Sequence, residues 1–132
     1  MTIRRFKRLK KSSTRLAKSP PKPGPVPRRG EVWWVRLDPT LGAEIKKTRP
    51  CLVLTTNVLN EHRRTVVVIP LSSSPNASPP LLIPVVCGGR SAVAVIDQIR
   101  AVAKERLHQR LGSLSAQHLK AIEDGLRMIL EL

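Results

Sequence analysis

Aromatic side chains are nearly absent: the 132 residues include two Trp, one Phe and no Tyr. With Phe6 isolated near the N-terminus, only Trp33 and Trp34 could offer a ring to a ligand, so stacking cannot be a main binding mode. Adjacent strand residues point to opposite faces, so at most one of these indoles can face a groove; the other is expected in the core or in a subunit interface. Cysteine is as scarce. Cys51 and Cys87 sit inside apolar runs with no CxxC spacing and no His at a ligand distance in sequence, which excludes a disulfide framework and a zinc site and leaves two reduced core thiols as the expectation. No metal and no cofactor are expected. No apolar run approaches the roughly 18 residues needed to span a membrane. The basic N-terminus is not followed by the continuous apolar stretch of a signal peptide, so no membrane association and a cytoplasmic location are expected. A P-loop, a dinucleotide glycine fingerprint, HExxH and GxSxG are also missing, which removes the motifs of phosphate-cofactor enzymes, zinc proteases and esterases.

Acidic residues are missing from residues 1–29, which hold 11 of the 24 Lys and Arg. From Gly30 onward the chain carries 13 basic and 9 acidic residues, so the formal charge of +15 comes mainly from the tail. Net positive charge suits a polyanionic partner, because Lys and Arg gain affinity by displacing counterions from phosphates. Residues 1–18 place Phe6, Leu9 and Leu16 too sparsely to bury a helix face, and residues 19–27 hold five of the twelve prolines. Residues 1–29 therefore read as a disordered, basic, proline-rich extension, and residues 30–132 as one domain, since a chain of this length supplies a single core. A nucleic-acid- or partner-binding arm, an arm that adds little, an upstream start codon wrongly chosen and an organelle transit peptide all fit the tail's composition.

The domain opens with Glu31-Val-Trp-Trp-Val-Arg-Leu37, which has strand composition and turn residues at both ends. Cys51 to Thr56 and Thr65 to Leu71 are short runs of Val, Leu, Ile and Thr, predicted as buried neighbouring strands. Leu81 to Val86, broken by Pro84, reads as an edge or bulged strand, and Ala92 to Ile96 as its partner across Gly88-Gly89. After Ser115, a candidate N-cap, Leu119, Ile122, Leu126, Ile129 and Leu130 recur at helical spacing. Five strands and a terminal helix, with no βαβ alternation and no repeat, predict a mainly β (α+β) domain: a small, curved, largely antiparallel sheet or barrel packed by one helix.

Among polar segments the informative one is Leu41-Gly-Ala-Glu-Ile-Lys-Lys-Thr-Arg-Pro50, read as a charged loop before an apolar strand that begins at Cys51. Pro50 biases Arg49 toward extended backbone, so its guanidinium would be carried rigidly at the loop's base, a placement suited to an oxyanion. Charge pattern alone leaves open a merely solvated loop. His62, His108 and His118 show no pairing for acid–base work and are expected at the surface.

Gly30-Glu-Val-Trp-Trp-Val-Arg-Leu-Asp-Pro39, Gly42-Ala-Glu44, Lys47-Thr-Arg-Pro50 and Asp97-Gln-Ile-Arg100, in this order and with Leu114-Ser115 leading into a final helix, resemble the MazF/PemK/Kid family of ribonuclease toxins. The resemblance runs from Gly30 to the end. It implies an SH3-like, PemK/CcdB-type curved antiparallel sheet with a C-terminal helix, assembled as a homodimer whose interface helps form the RNA groove. It also implies metal-independent cleavage of single-stranded RNA (mRNA, rRNA or tRNA) at short motifs, with the ribose 2′-OH as nucleophile, and neutralisation by a cognate antitoxin. Carried over by motif, Arg49 is the catalytic arginine and Ser72 stands where relatives place a threonine, with Ser73 as the alternative hydroxyl. Glu44, Lys46, Lys47, Asp97 and Gln98 fall on substrate-binding positions. The chain departs from some relatives at Ala43, where they have serine, and at Val95, where they have arginine. Two other readings follow: a non-catalytic RNA-binding or antitoxin-interacting relative, and a CcdB-like gyrase poison. The second is disfavoured because the chain ends Met128-Ile-Leu-Glu-Leu132 where such toxins resemble one another in Trp-Gly-Ile.

Overall fold

The unbroken run Val32-Trp33-Trp34-Val35 has no polar face to give to solvent. In the computed structural model, which describes residues 26–74 and 76–132, it forms β1 (Glu31–Arg36), an interior strand with apolar clusters on both sides. The same two-sided burial holds for β2 (Thr48–Val53) and β3 (Thr65–Ser72). The remaining strands are β4 (Leu82–Cys87), β5 (Arg90–Val95), β6 (Arg100–Ala103) and β7 (Leu107–Ser113). They form one antiparallel sheet in the order β4-β5-β3-β2-β1-β7, with β6 pairing β3 beside β5. Helix α1 (Asn57–His62) joins β2 to β3, and α2 (Ala116–Leu130) closes the chain.

The curled antiparallel sheet with its C-terminal helix matches the expected class. α2 starts where the cap predicts: the Ser115 Oγ accepts a hydrogen bond from the His118 N–H at 3.2 Å. Its apolar stripe, centred on the fully buried Ile122, packs on Val32, Leu52, Ile69, Ile83 and Ile96. The opposite face of the sheet buries Trp33, Val35, Leu37, Cys51, Val68 and Leu107. Gly125 lies inside α2 because the helix approaches the sheet too closely there for a side chain: a Cβ would stand 2.8 Å from Ile96 Cδ1 and 3.1 Å from the Pro80 carbonyl oxygen.

The structure corrects the predicted elements in several places. There are seven strands rather than five: β6 and β7 are short or polar, and His-Gln-Arg on an edge strand leaves no alternation to detect. β2 begins at Thr48, so Arg49 and Pro50 belong to the strand and pair with Val35 and Trp34, and the loop ends at Lys47. It also ends at Val53, and the segment carrying His62 is a short helix instead of a polar loop. Pro84 does lie on an edge strand, and Gly88 and Gly89, with φ of 58° and 76°, make the β4–β5 turn. Residues 1–25 of the expected basic extension lie outside the described residues, whereas Arg29 is already tied into the domain. Its guanidinium donates to the Leu54 carbonyl at 2.9 Å and pairs with Glu123 at 2.6 Å. No described helix is long and apolar enough to cross a membrane.

Glu31 joins the start of the domain to its edge strand. Its carboxylate accepts from the Arg28 N–H (2.7 Å), the Trp33 indole (3.1 Å) and Arg110 Nε (2.6 Å). Partial burial pushes the carboxyl's pKa up, but these donors together outweigh it and hold the group below its ordinary value. The folded state therefore prefers the ionised form, and its contribution is present above the usual carboxylate pKa and lost as pH falls through the lowered one. Acid titration of stability in denaturant should show a loss below about pH 4.5 that Glu31→Gln reduces; an unchanged acid limb would contradict the assignment. Gly125→Ala, which in an exposed helix would stabilise, should lower stability here by about 1–2 kcal/mol, read from the shift in denaturation midpoint.

Candidate functional site

The β1–β2 loop is charged yet clamped. The Leu37 N–H donates to the Lys47 carbonyl at 2.9 Å across its base. Arg100 Nη1 donates to the Leu37 carbonyl at 3.3 Å, and Arg106 Nη1 donates to the carbonyls of Arg36 (3.1 Å) and Asp38. Further out, the Gln98 side-chain oxygen accepts from the Ile45 N–H at 3.4 Å, while Ile45 packs on the core cluster around Cys51. Glu44 Oε1 accepts from the Leu41 N–H at 2.6 Å, closing a turn. Lys47 enters the strand at φ 68°, a left-handed conformation that costs roughly 1 kcal/mol in a non-glycine residue and is held by the contacts on either side.

Arg49 follows within two residues. The β2–β3 register pairs Cys51 with Pro70 and Val53 with Val68, and Arg49 and Ser72 each lie two residues beyond its Cys51–Pro70 end, where Arg49 pairs with Val35 and Ser72 with Val93. Arg49 is exposed, and its side chain's one hydrogen bond among the described residues runs from Nε to the Lys46 carbonyl at 3.4 Å, so both terminal nitrogens lack an acceptor there. The half-buried Ser72 accepts the Ser74 N–H through Oγ at 3.1 Å, which leaves its O–H free to donate. Both residues, with Ser73, line a cavity of about 570 Å³ whose other walls include Trp34, Thr48 and Arg90. No carboxylate lines it among the described residues. The arrangement offers cationic and neutral hydrogen-bond donors to an anion.

Of the residues expected at the site, the structure thus brings Arg49, Ser72 and Ser73 to one cavity and ties Glu44, Lys46 and Gln98 to the adjoining loop. Lys46, Lys47 and Asp97 are exposed side chains, Asp97 on the short 3-10 turn Ile96–Gln98, and none of the three side chains is hydrogen-bonded within the site. Arg90 was missed: Gly88-Gly89 reads as a turn, and only the pairing of β5 with β3 reveals where the turn delivers the next side chain. Of the two indoles, Trp33 is buried and Trp34 faces the cavity, the division that strand alternation required.

The two thiols differ. Cys51 is a core thiol, its pKa pushed up to about 12 by burial, with Arg100 acting weakly in the other direction. Cys87 is only half-buried and lines the cavity, so it is not the second core thiol expected. Burial raises its pKa too, against the pull of Arg110. The histidines are less exposed than expected: His108 is on the surface, but His118 is half-buried and accepts the Val86 N–H through Nδ1 at 3.4 Å, and His62 encloses an unpartnered Nδ1. No group of three or more His, Cys, Asp or Glu among the described residues could hold a metal ion.

Residues 28–130 match the family described as the PemK-like, MazF-like toxin of type II toxin–antitoxin systems. The chain belongs to this toxin family. It is 32% identical over 114 residues to the endoribonuclease MazF9 of Mycobacterium tuberculosis, covering 80% of this chain and 97% of that one. Over a shorter stretch of 48 residues, 36% of either chain, it is 48% identical to the endoribonuclease PemK of Escherichia coli. Among solved structures, MazF of Deinococcus radiodurans superposes with a TM-score of 0.74 at 24% identity, over 82% of this toxin and 99% of that chain. A mycobacterial endoribonuclease solved with its cognate antitoxin gives 0.66 at 22% identity, over 81% and 95%. At these identities the structures show the shared fold.

A thiol reagent applied to the folded toxin at pH 8 should modify Cys87 and spare Cys51 until denaturant is added, as read by peptide mass spectrometry. Modification of Cys51 first would contradict the burial that sets its pKa.

Proposed function

We propose that this toxin is a sequence-specific, metal-independent endoribonuclease that cleaves single-stranded RNA through the ribose 2′-OH. The carrying observation is that Arg49, with both terminal nitrogens free, and the Ser72 hydroxyl line one cavity with no carboxylate among its described lining residues. Family membership and the endoribonuclease relatives support the same reading.

In this reaction the 2′-oxygen attacks the adjacent phosphorus, the bond from phosphorus to the 5′-oxygen breaks, and the products are a 2′,3′-cyclic phosphate and a 5′-OH end. The 2′-OH gives up one proton and the 5′-oxygen takes one up, both exchanged with water in the open cavity. Negative charge concentrates on the non-bridging oxygens as the phosphorus becomes five-coordinate. Arg49 meets them with two N–H donors and a full charge, and Ser72 adds a neutral donor from the neighbouring strand. Neither needs to be a nucleophile, because the RNA supplies its own, and DNA is spared for want of it. Ser73 is the alternative hydroxyl; Glu44, Lys46 and Lys47 from the clamped loop and Asp97 and Gln98 from the turn Ile96–Gln98 hold the strand around the cleavage position.

The toxin acts in the cytoplasm as a homodimer, and a cognate antitoxin restrains it. The complex of the mycobacterial relative with its antitoxin supports the restraint by an antitoxin, as does a cationic site that an acidic segment would occlude.

Incubation with a long single-stranded RNA in EDTA should yield cuts at a short recurring motif with 5′-OH ends. Arg49→Ala should lower the rate about 10²- to 10³-fold with the fold unchanged, and Ser72→Ala by a similar order. Intact RNA at high enzyme concentration, or equal cutting by the Arg49 variant, would overturn the assignment.

A further inference from the structure

Helix α2 covers only part of the inner face of the sheet and contributes no residue to the cavity at Arg49. The remainder of that face can be followed strand by strand. Trp34 pairs with Pro50, two residues before Leu52, which pairs with Ile69; two residues beyond Ile69, Leu71 pairs with Ala94, and Ala92 and Arg90 follow at alternate positions. Trp34, Pro50, Leu71, Ala92 and Arg90 therefore share one face, and all five line the cavity. Arg49 and Ser72 enter from the strand ends, one residue along from Pro50 and Leu71.

Arg90 is exposed and makes no ion pair among the described residues. The Gly88-Gly89 turn holds it opposite Cys87, so its position is set by hairpin geometry and not by a neighbouring acid. The cavity thus has a guanidinium on β2, a second on β5, a half-buried indole on β1, and hydroxyls from Thr48, Ser72 and Ser73 between them. Its volume of about 570 Å³ falls in the range that takes a small polar ligand. A salt-bridging role for Arg90 would need a carboxylate, and none lines the cavity among the described residues.

We propose that this cavity is a nucleotide subsite beside the cleavage position, where Arg90 binds the phosphate next to the scissile one and Trp34 stacks one base. It rests on the ribonuclease reading and adds to it: Arg49 and Ser72 act on the reacting phosphate, while Arg90 and Trp34 fix the register of the strand that crosses the ends of β2 and β3. A single stacked base agrees with a chain so poor in aromatics.

The test uses an oligoribonucleotide carrying the mapped cleavage motif with a 2′-deoxy sugar at the cleavage position, so that it binds without being cut. Arg90→Ala should weaken binding about tenfold and reduce the slope of log affinity against log salt by about 0.7, while Arg90→Lys keeps most of the slope. Trp34→Leu should weaken binding about 5- to 100-fold, and Trp34→Phe far less. Binding should quench tryptophan emission in the wild type but not in Trp34→Phe, which retains only the buried Trp33. In cleavage, the Arg90 and Trp34 variants should raise KM more than they lower kcat. Wild-type affinity and salt slope in Arg90→Ala, or quenching that persists in Trp34→Phe, would overturn the subsite. So would loss of the dimer in the Phe variant, which would make Trp34 an interface residue. If the wild type cuts no RNA, the ribonuclease reading itself fails. If it cuts, Arg49→Ala does not, and the Arg90 and Trp34 variants match the wild type, the subsite alone fails.

Discussion

Everything at the candidate site hangs on the burial of β1, β2 and β3 from both sides. Because consecutive side chains alternate between two apolar clusters, Cys51 and Val53 serve one and Leu52 the other. A slip of one residue between β2 and β3 would exchange the two sets and bring a differently sized residue to every position. That constraint fixes Cys51 against Pro70, and just beyond this pair the two strands carry Arg49 and Ser72 to one cavity. The placement of these two side chains is in this sense a by-product of core packing: a guanidinium and a hydroxyl carried by adjacent strands reach one cavity without a dedicated scaffold.

The charged loop before β2 would be mobile if left to its composition. It is instead held from below by carbonyls that accept from Arg100 and Arg106, and from the side by Gln98 and by Ile45 reaching the core. Several cations of the mildly basic domain therefore serve backbone carbonyls and leave Arg49 and Arg90 without acidic partners. Guanidiniums with free donors at a cavity without carboxylates have a phosphate backbone as their natural complement. Acidic side chains such as Glu123, Asp124 and Glu31 are already paired elsewhere, with Arg29, Lys120 and Arg110.

Cys87 and Cys51 illustrate how far local sequence reaches. Both sit in apolar runs, and both look like core. Cys51 is on a central strand with neighbours on either side, whereas Cys87 ends an edge strand at the mouth of the cavity. The difference is one of strand order, which the composition of a short segment cannot encode. Arg90 was overlooked for the same reason, as were β6 and β7, whose pairing partners lie far away in the chain and whose side chains are partly polar.

By itself the sequence determined the interior strands, from apolar runs too continuous to be half-exposed, and the final helix with its Ser115 cap, from period and cap chemistry. It also determined the family, through linked motifs around Arg49 and Asp97. Those features are local, or are recurring strings of residues, and so can be read along one dimension. Tertiary structure alone decided that Arg49 lies inside a strand and not in a loop, that Ser72 lines the same cavity, that Trp34 and not Trp33 faces it, and that a glycine hairpin brings Arg90 to it. Each of these depends on which strands are neighbours and in what register, and that is settled by how two apolar clusters close on opposite faces of one sheet.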